Sequence, residues 1–246
     1  MRTNEVSFSI AGHAAWAPGI ESPDAWAEWA KASFKIHGNN EPGVRQMPAM
    51  LRRRAGFLGK MALEVAYQCT AGRTDIPTVF CSRHGEVVRA VELLTDLAQD
   101  AALSPTGFGL AVHNASAGLF SIARADRANH VALAAGSNTI EHAVIEACSL
   151  LADGASEVLL VAYENCLPPV FAQFEDFEEQ PYAWAWLMVA ADENPVRLSW
   201  SATDAQTNAT IDSMPPGLAV LQFQLRADSS LERIGERRRW RWTRDA

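Results

Sequence analysis

The most constraining stretch of this chain is residues 130–163, where a short apolar run, a helical period and a second apolar run follow one another. Residues 130–135 read as a strand, 139–151 as a helix and 157–163 as a buried strand. Two strands joined through a helix need a crossover, and crossovers join parallel strands. The pattern predicts an α/β fold built on a mixed, mostly parallel sheet with helices on both faces.

Upstream, residues 5–12 alternate Val6, Phe8 and Ile10 against polar positions and end in loop chemistry at Gly12 and Pro18-Gly19, as a strand does. Ser22-Pro23-Asp24 supplies an N-cap, a proline at the first helical position and an early acid, and so opens a short helix through Trp26 and Trp29. Residues 34–44, rich in Gly and Asn, read as a loop. From Pro48 to Cys69, Leu51, Ala55, Leu58, Ala62, Val65 and Ala66 recur at helical spacing, which predicts one continuous helix with Arg52-Arg53-Arg54 on its first turns. Residues 77–81 form a short β-branched and aromatic run, and 86–101 and 114–123 are helical by period. Two late apolar runs, 184–190 and 196–200, flank the turn-like Asp192-Glu193-Asn194-Pro195 and predict a hairpin.

Composition narrows the function classes. The chain has 246 residues, 48% of them hydrophobic, enough for one large domain or two small ones. No apolar run is long enough to span a bilayer, and the first residues lack a signal-peptide core, so a cytoplasmic protein with no membrane insertion is expected. Cys69, Cys81, Cys148 and Cys166 are widely spaced, which argues against a zinc site or a disulfide framework. No metal-binding His or Cys spacing, GxGxxG or phosphate loop occurs, so neither a metal nor any other cofactor is expected. A formal net charge of -8 disfavours nucleic acid, although residues 237–242, Arg-Arg-Arg-Trp-Arg-Trp, concentrate positive charge in what reads as a docking or solvated tail. Residues 171–179 alternate aromatics with acids and read as a solvated, partly anchored loop.

Four segments in order carry a resemblance: Ser82-Arg83-His84-Gly85-Glu86, Ser104-Pro105-Thr106, Val112 to Gly118, and Gly154-Ala155-Ser156-Glu157-Val158. Together they resemble the N-terminal half of β-ketoacyl-acyl-carrier-protein synthases, and Met47 to Arg54 is similar to a subgroup found with aryl polyene pathways. The resemblance covers roughly residues 5–200. It implies half of a thiolase-like fold, with residues 1–246 a single domain carrying a C-terminal extension from about residue 203.

In active members of that family a cysteine at a helix N-terminus is the nucleophile, where helix amides lower its pKa. Counting from Asn114 and from Gly154 places this position at Ser137. The thiol is absent, and the family's catalytic histidines belong to a C-terminal half that this chain is too short to contain. His142, one turn on, is a poor candidate base because a histidine at that spacing on the same helix points outward or makes a local contact. The resemblance therefore implies a subunit without catalytic residues, like a chain length factor, paired with a full-length ketosynthase and reaching an acyl carrier protein through the complex. By position, Phe108, Leu110, Val112, His113 and Asn114 would line the partner's acyl tunnel, and the strand with Asn129, His130, Val131 and Leu133 would pair across the interface. Core packing is the competing reading, and for Phe108 and Val112 taken alone it is the stronger. Arg52, Arg53 and Arg54 are candidate carrier-protein contacts, with a solvated helix face as the equal alternative. Two other functions stay open: a serine-dependent acyltransferase or thioesterase using Ser137, which lacks a GxSxG elbow, and a homodimeric acyl-binding protein.

Overall fold

Alternation along the strands sorts the apolar side chains onto the two faces of one sheet. The computed structural model describes residues 4–203, 214–235 and 237–244. Its strands are β1 (Glu5–Trp16), β2 (Thr78–Cys81), β3 (His130–Leu133), β4 (Glu157–Glu164), β5 (Tyr182–Ala190), β6 (Val196–Ala202), β7 (Ser230–Gly235) and β8 (Arg238–Arg244). They form one sheet in the order β3-β2-β4-β5-β1-β6-β8-β7. The helices are α1 (Pro23–Lys31), α2 (Ala49–Arg52), α3 (Phe57–Thr70), α4 (Val87–Ala98), α5 (Pro105–Gly109), α6 (Ala115–Arg124), α7 (Thr139–Ala152) and α8 (Pro216–Arg226).

On β4 and β5, Val158, Leu160, Ala162, Trp184, Trp186 and Met188 point to one core, which α1, α7 and α8 cover. Leu159, Val161, Tyr163, Ala183, Ala185 and Leu187 point to a second core, closed by α3 and α6. Both faces are dry, so these strands read as continuous apolar runs rather than alternating ones. Burial of each large side chain contributes about 1.5–3 kcal/mol, and runs of six buried positions in β4 and seven in β5 make these strands the centre of the fold.

The α/β class with helices on both faces stands, but the sheet is not mostly parallel. Of its seven pairings only β2 with β3 and β2 with β4 are parallel. Strand-helix alternation reports on the crossover segment 78–164 alone, whereas β5, β1, β6, β8 and β7 join it antiparallel. Nor do β5 and β6 form the expected hairpin: β1 lies between them and pairs with both. The turn-like residues 192–195 fix where the chain reverses, not which strand becomes the neighbour.

The expected helix from Pro48 to Cys69 is two. It breaks at Arg53–Gly56, where Gly56 takes the extended N-cap conformation of α3 and Arg89 Nη2 donates to the Arg54 carbonyl at 3.3 Å. Apolar spacing continues in phase across the break, so periodicity could not reveal it. The Arg/Trp-rich C-terminus is not a solvated tail but an interior strand. In β8, Trp240 and Trp242 are fully buried while Arg239 and Arg241 face out. Residues 204–213, at the start of the expected C-terminal extension, lie outside the described residues. Among the described residues no helix is long and apolar enough to cross a membrane.

Candidate functional site

Ser137 lies in a single 3-10 turn, Gly136–Asn138, that connects β3 to α7. The segment is pinned by the C-terminal hairpin. Arg233 Nη2 donates to the Ser137 carbonyl at 3.4 Å, Arg233 ion-pairs with the fully buried Glu141, and Trp240 Nε1 donates to Asn138 Oδ1 at 2.9 Å. Gly235 passes so close that a Cβ there would sit 2.2 Å from Asn138 Oδ1. His142 is edge-on to the Trp240 ring at 5.4 Å. Among the described residues no hydrogen bond joins Ser137 to a histidine that could take its proton.

Beside Ser137 opens a recess of about 470 Å³, its mouth included, lined by Cys81, Glu164, Phe177 and Tyr182 among others. Cys81 and Glu164 end β2 and β4, and carboxyl ends of parallel strands are where α/β sheets place their sites. That rule was the signal in the sequence that could have found them, and motif counting passed them by. Burial pushes the Cys81 thiol well above its usual pKa, with the nearby carboxylates of Glu164 and Glu141 acting the same way. It is therefore a protonated thiol and a poor nucleophile. Burial likewise pushes Glu164 up to about 8, opposed by the Arg83 amide. Among the described residues no group of three or more His, Cys, Asp or Glu side chains is arranged to hold a metal ion.

A second feature is an uncovered apolar side. No residue of α4 is buried although the helix is strongly amphipathic; Leu94 is 59% exposed and Leu97 is similar. α5 packs on α4, and α6 packs beside β3, which has a neighbour on one edge only. Phe108 is 69% exposed, Val112 43% and Ile122, on α6, 66%. The core reading of Phe108 and Val112 is thus overturned: both face outward. Asn114, Asn129 and His130 are exposed, while Leu110, His113, Val131 and Leu133 are half-buried, Leu110 against the second core. His113 Nε2 donates to the Ser82 carbonyl at 2.8 Å.

The arginine cluster divides. Arg52 donates to the Gly43 and Val44 carbonyls and holds the preceding loop, whereas Arg53 and Arg54 are exposed. The acidic stretch 171–179 is anchored at one end: Arg83 pairs with Asp176 and lies 3.7 Å from Glu179, and its guanidinium stacks over Phe177.

Comparison with known proteins bears on this arrangement. A chain of the complex between the ketosynthase ApeO and its chain length factor ApeC from Xenorhabdus doucetiae superposes with a TM-score of 0.84 and 25% identity, covering 97% of this chain and 100% of that one. The ishigamide ketosynthase/chain length factor gives 0.63 at 16% identity, over 81% of this chain and 68% of that chain. A β-ketoacyl synthase from Burkholderia phymatum gives 0.61 at 11%, over 84% and 66%. No curated protein matches the sequence. The β-ketoacyl synthase N-terminal domain family matches residues 26–243. With a thiolase-like sheet, the family's motifs in order and a match over most of its length, this chain belongs to the β-ketoacyl synthase N-terminal domain family.

Proposed function

We propose that the chain is a non-catalytic, chain-length-factor-like subunit that pairs with a full-length β-ketoacyl-acyl-carrier-protein synthase in aryl polyene or fatty-acid-like biosynthesis and bounds its acyl tunnel. The observation that carries this reading is the uncovered apolar side. An amphipathic helix with no buried residue, outward Phe108 and Val112, and the free edge of β3 together make a surface that a partner must cover. The likeness to a chain of a ketosynthase and chain-length-factor complex supports the kind of partner. The nucleophile position supports the missing chemistry: among the described residues no histidine hydrogen-bonds Ser137, and burial keeps the neighbouring Cys81 thiol protonated. Exposed Arg53 and Arg54 suit contact with an acidic carrier protein in the complex.

The test is co-expression with the full-length ketosynthase of the same biosynthetic cluster, followed by mass measurement of the purified species. A stable 1:1 heterodimer that condenses acyl units, with the isolated chain inert to acyl thioesters and fluorophosphonates, is the expected result. A homodimer that ignores the ketosynthase, or covalent labelling of Ser137, would sink it.

A further inference from the structure

Glu164 ends β4 half-buried, and among the described residues it carries no ion pair; its hydrogen bonds are with one loop. Its Oε1 accepts from the Arg83 amide and its Oε2 faces Ser82 Oγ at 3.1 Å. Ser82 Oγ in turn accepts from the Gly85 amide at 2.8 Å, which closes the 82–85 turn. The Ser82 carbonyl, on the same residue, accepts from His113 Nε2. Gly85 lies in the left-handed region at φ 56°, and any Cβ there would stand 2.8 Å from the His113 ring, so turn and imidazole are packed face to face. Tyr163, the neighbour of Glu164, points its hydroxyl at the His113 carbonyl at 3.5 Å.

The end of β4 thus holds His113 twice over, and His113 directly follows the exposed Val112, with the exposed Phe108 a few residues before it. Among the described residues nothing comparable anchors those two side chains, which stand 69% and 43% exposed. We infer that Glu164 is a positioning residue for segment 108–114, acting through Ser82 and His113, and that it sets the shape this segment presents to the partner. The second half of the inference rests on reading that segment as partner-facing. The relay does not depend on a charge. Ser82 Oγ can donate to an ionised carboxylate or accept from a neutral one, and the Arg83 amide finds an acceptor oxygen in both states. A neutral amide of the same shape therefore fits.

Hydrogen exchange of backbone amides in the full chain tests the relay without any partner, for wild type, Glu164→Ala and Glu164→Gln. Glu164→Ala is expected to speed exchange about tenfold or more in residues 82–85 and 108–115, while β1 and β5 stay protected; Glu164→Gln restores wild-type protection. Affinity for the co-purified ketosynthase follows the same order, with about a tenfold loss in Glu164→Ala and rescue in Glu164→Gln. Unchanged exchange in 108–115 for Glu164→Ala overturns the relay, whatever happens to binding. If that variant loses protection throughout, Ser82→Ala replaces it, cutting the relay one link on, and must loosen 108–115 while leaving β5 intact. A wild-type chain that binds no ketosynthase removes the partner reading alone, and exchange still decides whether Glu164 holds the segment.

Discussion

Glu164 also makes stability depend on pH in an unusual direction. Its carboxyl is pushed up to about 8, first by burial and then by Glu179, from an ordinary value of 4.5. Between those values the folded chain keeps a proton that the unfolded chain has released, so the folded state binds more protons and stability falls as pH rises. Below about 4.5 both states are protonated, and above about 8 both are ionised, so the slope is confined to that window. Denaturant unfolding from pH 5 to pH 9 should show the decline, on the order of a few kcal/mol, and Glu164→Gln should remove most of it. At the positions proposed to face the partner's tunnel, Phe108→Ala or Val112→Ala in the reconstituted complex should lengthen the product, each added buried CH₂ contributing about 0.8 kcal/mol. Val112→Trp should shorten it by overfilling the same space, and Ser137→Ala should leave rate and length near wild type. The product distribution of intact complexes checks all four variants. Identical products from both alanine variants would leave the subunit a scaffolding role only.

Among the elements, the β7–β8 hairpin illustrates how a polar contact and an apolar one are combined. Trp240 and Trp242 fix its inner face in the core, and Arg233 supplies the counter-ion of Glu141, whose side chain is fully buried. Removing one partner of such a pair strands a buried charge, so Arg233→Ala should cost about 3–5 kcal/mol in chemical denaturation. Replacing both, Arg233→Met with Glu141→Leu, should recover most of that loss, because the desolvation cost of the carboxylate disappears with it. A double variant no better than Arg233→Ala would show that packing of the arginine stem, not charge, is what holds the hairpin. α4 is the opposite case, an amphipathic helix with no buried residue, packed on α5 but with Leu94 and Leu97 left exposed.

For the whole molecule, that uncovered face is where the proposed partner would sit. Leu94→Asp should abolish co-purification with the ketosynthase while leaving the thermal unfolding of the isolated chain within a few degrees of wild type, since the side chain is exposed before association. An equal loss of monomer stability would place Leu94 in the fold rather than the interface. Obligate interfaces of this kind bury more than about 2,000 Å² and are more apolar than transient ones, and the run of exposed apolar residues from Val88 to Ile122 fits that character.

Much of this architecture was legible beforehand because its causes are local. Ser22 does cap α1, with its Oγ accepting from the Ala25 amide, and the strand and helix periods of residues 130–163 fall within a residue or two of β3, α7 and β4. The ordered motifs likewise led to the family and to Ser137. The chain's own residues thus determined element type and family. Only the tertiary structure decided which strands are neighbours, because a turn sets where a chain reverses while the sheet position of β1, between β5 and β6, is set by contacts 167 or more residues apart along the chain. It also decided that the arginine-rich end is an interior strand and that Phe108 and Val112 face outward, since hydrophobic character says that a side chain prefers burial but not whether this chain or another provides it. Cys81 and Glu164 could meet beside Ser137 for the same reason: three sequence-distant strand ends come together only once the sheet is assembled.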